Sequence, residues 1–296
     1  MKYKVQREWL TLIIDDLFDG KTIEDVFRYY HLSRKNIHLL KQNKDYTLNQ
    51  QCVPASTILS KKDQLKIKAF DTSGIDLDPV PGDIEIAYED EFLLIVNKPA
   101  GIKIHPDGTD VTTLSHLVAY YYQQQGLSYP IRYLHRLDED TSGLIIFCKC
   151  TFLQAYLDYQ LSLKNIKRNY IAFVEGNITN KTYISIEKPI ARDRHHSKKM
   201  RIADHGQYAL THYRLIKKYR SFSEVECSLE TGRTHQIRVH LASIGHPILG
   251  DLLYGHPNNR IKRQALHAYK IYFKHPITQE IMEIEVDLPQ DMKSLT

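Results

Sequence analysis

Two short apolar runs constrain this chain most: Phe92-Leu93-Leu94-Ile95-Val96 and Gly143-Leu144-Ile145-Ile146-Phe147-Cys148. Both fall far short of the ~18 apolar residues that a membrane span needs. Their length fits strands buried on both faces. Tyr170 to Val174, Ala209 to Ile216, Phe222 to Leu229 and much of Ala265 to Val286 also read as strands. Within Phe222 to Leu229, Glu224, Glu226 and Ser228 alternate with Val225, Cys227 and Leu229, which predicts one wet face. Thr113 to Tyr122, Phe152 to Leu163 and Thr234 to Ile244 read as helices, the last with Ile237, Leu241 and Ile244 on one face. Strands outnumber helices and do not alternate with them regularly. That predicts an α+β fold on a mixed, largely antiparallel sheet.

The first seventy residues read as a separate small module. Thr22 to Leu40 predicts two short helices broken near His31-Leu32-Ser33, with Ser33 capping the second. Asp45 to Asn49 and Gln64 to Phe70 predict strands. Asp71 to Gly82 is rich in turn formers and acids and reads as a linker. The expected organisation is a small α/β module over 1–70, a linker over 71–82, and a main domain over 83–296 that folds by itself.

At 42% hydrophobic and 25% charged residues the chain has an ordinary globular balance, which excludes disorder throughout. The start, Met1 to Glu8, has no apolar stretch of the kind a signal peptide needs. The four cysteines form no C-x-x-C, so neither a zinc knuckle nor a thioredoxin-type pair is expected. Reduced cysteines in the cytoplasm are the expectation. A net charge of +5 permits an anionic partner without demanding one. Lys164 to Tyr170 and Arg192 to Arg201 are basic clusters, and the chain carries 20 tyrosines. Cations beside aromatics suit nucleic acid. A solvated basic face explains the composition about equally well.

Two polar clusters stand out. Leu134-His135-Arg136-Leu137-Asp138-Glu139-Asp140-Thr141-Ser142-Gly143 is a turn that feeds a buried strand. Gly143 would let the chain enter that strand without a Cβ clash. Taken alone, the segment reads better as an acidic surface turn. Thr231 to Leu241 places His235 and Arg238 together, three residues apart on a helix. Such a helix can present donors to a phosphate. An amphipathic helix with a charged outer face is the common alternative.

His135-Arg136-Leu137-Asp138-x-x-Thr141-Ser142-Gly143 resembles the central motif of the RluA family of RNA pseudouridine synthases. Four further segments match that family in order. Tyr88 to Glu91 with Val96 to Gly101 and His105-Pro106 resembles its opening strand and loop. Lys167 to Gly176 resembles its tyrosine motif. Gly232 to Leu241, Gly245 to Ile248 and Gly250-Asp251-x-x-Tyr254-Gly255 resemble its third motif. Leu266-His267-Ala268 with Phe273-x-His275-Pro276 resembles the last. Leu32 to Ile37 and Leu48-Asn49 resemble a degenerate αL-type RNA-binding module, with Gln50 and Lys62 where glycines are usual.

The resemblance implies the pseudouridine synthase fold and its reaction. Uracil is cut from ribose at N1, turned, and reattached through carbon 5, so no cofactor and no metal are expected. The implied catalytic residues are Asp138, Tyr170 and Arg238. Asp138 is the essential carboxylate, acting either by attack on carbon 1′ or by promoting a glycal. Arg238 is its charge partner. Tyr170 stacks on the target base and is a candidate for taking the carbon-5 proton. Leu266 packs the other side of the base. Arg136 fills the space left by the flipped uridine. His135 joins the implied substrate-binding set, and Arg233, Lys98 and the basic segment around Lys198, Lys199 and Arg201 are weaker candidates for backbone contacts, which a solvated surface explains about equally well. The implied partner is RNA, ribosomal or transfer, bound by a cytoplasmic monomer.

Other classes fit less well. A kinase loop has Asp directly after His-Arg, and here Leu137 intervenes without any glycine-rich loop. His195-His196 and His235 with His240 lack metal-ligand spacing. A non-catalytic RNA-binding protein or RNA chaperone on the same fold is the remaining rival. Loss of Asp138, Tyr170 or Arg238 would favour it, and all three are present.

Overall fold

The computed structural model describes residues 1–108 and 112–296. The chain opens with strands β1 (Lys2–Gln6) and β2 (Trp9–Ile13), then helices α1 (Ile23–Tyr29) and α2 (Arg34–Asn43), then strands β3 (Tyr46–Leu48) and β4 (Gln64–Lys68). The strands form a four-stranded antiparallel sheet in the order β1-β2-β4-β3. Thr22 and Asp25 cap α1 reciprocally. Ser33 caps α2 by accepting from the Asn36 N–H, at the predicted break between the helices. Gln50 and Lys62 adopt left-handed φ values of 69° and 73°, so the two turns keep the backbone that glycine would favour.

The second sheet uses β5 (Glu85–Glu89), β6 (Leu93–Lys98), β7 (Ser142–Cys148), β8 (Lys167–Glu175) and β9 (Ile184–Glu187). Helices α3 (Leu114–Gln124) and α4 (Thr151–Ser162) lie between these strands in sequence. A hairpin of β10 (Ile190–Arg192) and β11 (Met200–Ile202) stands apart. Then come β12 (Leu210–Lys218), β13 (Phe222–Leu229), α5 (Gln236–Ala242), β14 (Leu266–Lys274), β15 (Ile281–Glu285) and α6 (Gln290–Lys293). The nine strands order as β5-β6-β7-β14-β8-β13-β12-β9, with β15 also on β14. Among the described residues β7 and β14 run parallel and every other pairing is antiparallel. No helix among them is long and apolar enough to cross a membrane.

The two apolar runs become β6 and β7 at the centre of this sheet. Both faces are covered, which explains the lack of alternation. Leu94, Val96, Ile145 and Phe147 pack against α3. Leu93, Ile95, Leu144 and Ile146 face α4 and the N-terminal module. The predicted wet face of β13 is not wet at its centre. Glu226 is buried, and accepts hydrogen bonds from Tyr269 (2.6 Å), Asn169 (2.9 Å) and Arg214 (2.6 Å). Burial opposes its charge, but these donors hold its carboxyl down at about 2. The alternation there marks a buried polar network rather than solvent.

The N-terminal module shares one core with the main sheet. Tyr30 sits 5.0 Å from Phe152 and 5.5 Å from Tyr156, ring to ring, and Tyr3 sits 5.0 Å from Phe92. The Phe152 N–H donates to the Ala69 carbonyl. Each covered ring is worth roughly 1.5–3 kcal/mol. Uncovering three of them removes an amount comparable with a domain's whole stability of roughly 5–15 kcal/mol. The packing therefore predicts that a fragment starting at residue 83 melts at lower temperature than the full chain and binds a hydrophobic dye. Cooperative melting of that fragment within about 5 °C of the full chain would contradict this.

Candidate active site

The turn at 134–141 is anchored before it presents any chemistry. Its entry pairs with β7 through the Leu134 N–H and the Ile146 carbonyl. The Thr141 N–H closes the turn onto the Asp138 carbonyl at 3.1 Å. Gly143 then enters the sheet at φ 121°, where a Cβ would lie 2.3 Å from the Ala268 carbonyl oxygen. Glycine is required at that crossing, as the sequence predicts. From the other side, Arg263 donates to the Asp140 carbonyl at 3.1 Å.

Lys98 is part of this anchoring and not an RNA contact. It is fully buried, and its Nζ donates to the carbonyls of Pro99 (2.9 Å), Ile102 (2.8 Å) and Glu139 (2.7 Å). Burial brings its pKa down to about 7. It ties the opening loop to the Asp138 turn, out of reach of a phosphate. His135 is corrected likewise. It is buried, and among the described residues neither ring nitrogen has a hydrogen-bond partner.

Asp138 faces α5. The Arg238 NH1 donates to Asp138 Oδ2 at 3.0 Å. The rest of the same guanidinium grips Asp251, Nε to Oδ2 at 2.7 Å and NH2 to Oδ1 at 2.9 Å. Such a two-pronged pair fixes the plane of an arginine. Asp251 is fully buried and also accepts the N–H groups of Leu253 and Tyr254. The arginine is thus held by one carboxylate and presented to another.

His235 completes the rim. It caps α5 in a left-handed conformation, φ 57°, strain of a kind that gathers at functional sites. Its Nδ1 shares a hydrogen bond of 2.9 Å with the Tyr254 hydroxyl, and its Nε2 lies 3.8 Å from Asp138 Oδ2. The Tyr254 hydroxyl also accepts the Met200 N–H at 2.7 Å, which ties the basic hairpin to the site. Burial lowers the His235 pKa, as does Arg238, against the opposing pull of Asp138.

The alternative of a charged outer face on α5 does not hold: Gln236, Arg238 and His240 are all buried. Gln236 accepts from Thr231 and the Arg233 N–H and donates to Leu210 and Thr211, fixing the helix start. Reading polar letters as solvated letters missed this residue. Asp251 and Tyr254 lay in a quoted motif but carried no role, because only their distance from Arg238 reveals one.

Tyr170 on β8 is nearly buried, and Leu266 opens β14 beside it, paired with Ala172. Both belong to one apolar cluster. Burial raises the Tyr170 pKa; the charge of Asp138 adds to that and Arg168 opposes it. Arg136 is exposed. Arg233 is exposed too, with its Nε donating to the Tyr208 carbonyl at 3.0 Å. Among the described residues no group of three or more His, Cys, Asp or Glu could hold a metal ion.

Two buried imidazoles make stability depend on acid. Burial takes His135 down to about 3 and His267 down to about 4. The unfolded chain protonates both near pH 6.5. Below that, the unfolded state binds more protons, so stability falls as pH drops through the window down to those values. Each group removes up to about 1.4 kcal/mol per pH unit there. Melting temperature should fall with acid, and less steeply in His135→Leu. Equal slopes for the two proteins would contradict this.

Comparison with known proteins agrees with this geometry. Residues 92–243 match the RNA pseudouridylate synthase family, and residues 10–65 match the N-terminal domain of the RluD ribosomal pseudouridine synthase. An RNA pseudouridine synthase of Bacillus subtilis, YhcT, is 41% identical over 97% of this chain and 96% of its own. The ribosomal large subunit pseudouridine synthase D of Zymomonas mobilis is 36% identical over 84% of this chain and 86% of its own. Among solved structures, human RNA pseudouridylate synthase domain containing 1 superposes with a TM-score of 0.59 at 26% identity, over 70% of this chain and 86% of its own. With the matched family spanning the loop of Asp138, the strand of Tyr170 and the helix of Arg238, the chain belongs to the RNA pseudouridine synthases of the RluD/RluA type, isomerases that act on RNA.

Proposed function

We propose that this enzyme isomerises uridine in large-subunit ribosomal RNA, with Asp138 as the reacting carboxylate. The observation that carries the catalytic assignment is the bridge from buried Asp251 through Arg238 to Asp138. A carboxylate positioned by a locked guanidinium can serve at carbon 1′ in either route of bond exchange. Tyr170 stacks on the flipped base and Leu266 closes its other side. The raised Tyr170 hydroxyl stays protonated at neutral pH, so stacking is its first role. Arg136, two residues from Asp138 and exposed, enters the space that the uridine leaves. Arg233 meets backbone phosphate. The substrate class follows the names of the ribosomal relatives. We place the enzyme in the cytoplasm as a monomer.

The test is pseudouridine mapping in RNA from cells with and without the gene. The expected result is loss of one or a few pseudouridines from large-subunit ribosomal RNA. Loss confined to transfer RNA would overturn the substrate assignment, and no loss anywhere would overturn the activity.

A further inference from the structure

Arg168 is a buried cation whose Nε has no partner among the described residues. It lies on β8, about nine-tenths buried. Its Nε is sealed from solvent and has no hydrogen-bond partner among the described residues. A buried charge left unpaired is costly, and an apolar side chain of similar size would serve packing better.

Its surroundings do not neutralise it. Its charge acts on His135 and on Tyr170. His135 is held neutral by burial, and Tyr170 stays a phenol. Asp138 is committed to Arg238. Gly232 lies beside the fork, where a Cβ would sit 3.4 Å from NH1 and 3.6 Å from NH2. The glycine leaves the fork uncovered between the Asp138 turn and the start of α5.

Arg168 and Tyr170 are two residues apart on one strand, so their side chains share a face, roughly 7 Å apart. A base stacked on Tyr170 is within the guanidinium's reach. We propose that Arg168 is a further catalytic residue, which donates hydrogen bonds to a uracil carbonyl oxygen and stabilises the departing base. The proposal rests on the pseudouridine synthase reading of this site. When the C1′–N1 bond breaks, its electron pair passes to N1 and spreads onto O2 and O4. A fixed donor aimed at one of those oxygens is stronger in the transition state than before it. Carbon 5 then bonds to carbon 1′, the carbon-5 proton leaves to solvent, N1 takes up a proton, and Arg168 acts only as a hydrogen-bond donor.

The experiment compares wild type, Arg168→Gln and Arg168→Lys in single-turnover reactions on large-subunit RNA transcribed with uridine or with 5-fluorouridine, scored on both by loss of the C1′–N1 bond, since fluorine leaves no carbon-5 proton to expel. Fluorine withdraws electrons and makes the base a better leaving group. Arg168→Gln should slow the uridine reaction by about 100-fold and the 5-fluorouridine reaction by less than about 10-fold. Its RNA affinity should stay within about threefold, with an unchanged salt slope. Its melting temperature should equal or exceed wild type, because an unpaired buried charge is gone. Arg168→Lys should fall between the two. Equal slowing on both RNAs would overturn the proposal. So would weaker binding with a salt slope lowered by about one and an unchanged rate, which marks a phosphate contact. A melting temperature lowered in both variants alongside their rates would mark a structural residue and overturn it too. Wild-type inactivity on this RNA would instead overturn the reading on which the proposal rests.

Discussion

Asp138→Asn should abolish pseudouridine formation while RNA binding survives. The amide has nearly the volume of the carboxylate, and its oxygen can still accept from the Arg238 NH1, now 3.0 Å from Asp138 Oδ2. The turn around it is held by Lys98, Arg263 and the β7 pairing rather than by the carboxylate itself. The fold should therefore persist. What disappears is the negative charge, and with it both routes at carbon 1′. The expected loss of turnover is roughly 10⁴-fold or more, the scale met when a charged group at a reacting centre is neutralised. Affinity should stay within about tenfold, or ~1.4 kcal/mol. Single-turnover kinetics, filter binding and melting on the same preparation separate the three effects. Equal losses of binding and turnover would mark Asp138 as structural.

Asp251→Leu removes the buried half of the same bridge, and here stability suffers most. Arg238 is left in the interior with one partner, and the Leu253 and Tyr254 N–H groups lose their acceptor. Breaking a buried pair from one side costs roughly 3–5 kcal/mol. At roughly 2–4 °C per kcal/mol, the scale for somewhat smaller chains, melting should fall by roughly 6–20 °C. Activity should fall as well, since nothing then fixes the plane of Arg238. Adding Arg238→Leu should restore much of the stability and none of the activity, because an apolar pair can replace a buried ion pair but cannot position Asp138. A double variant no more stable than Asp251→Leu would contradict this account of the bridge.

The central sheet was legible because β6 and β7 are buried on both faces and leave unbroken apolar runs. The paired helices of the N-terminal module were legible through Ser33 and the helical period around it. Strands β1 and β2 were not read, because Lys2 to Gln6 is a polar edge strand whose alternation of Tyr3 and Val5 is brief. The shared core of module and sheet was hidden too, since Tyr30 and Phe152 are distant in sequence and only their contact joins them. Within the site, Asp138, Tyr170 and Arg238 were named through the resemblance and the geometry brings them together. Lys98 and His135 were misread for one reason: a basic letter near the motif suggests a phosphate contact, and burial forbids it. Glu226 and Gln236 show the converse, polar letters that serve the interior.

The most direct measurement is tritium release from large-subunit RNA labelled at carbon 5 of uridine, using the purified chain with no added cofactor. Forming the new carbon–carbon bond must expel that hydrogen, so the label reports the reaction and not binding. Release should plateau at one or a few sites per RNA with wild type, and nucleoside digests should show pseudouridine in the same amount. Asp138→Asn should bind the RNA and release none. RNA binding by wild type without release would support the chaperone rival, and release by the Asn variant at the wild-type rate would contradict the mechanism outright.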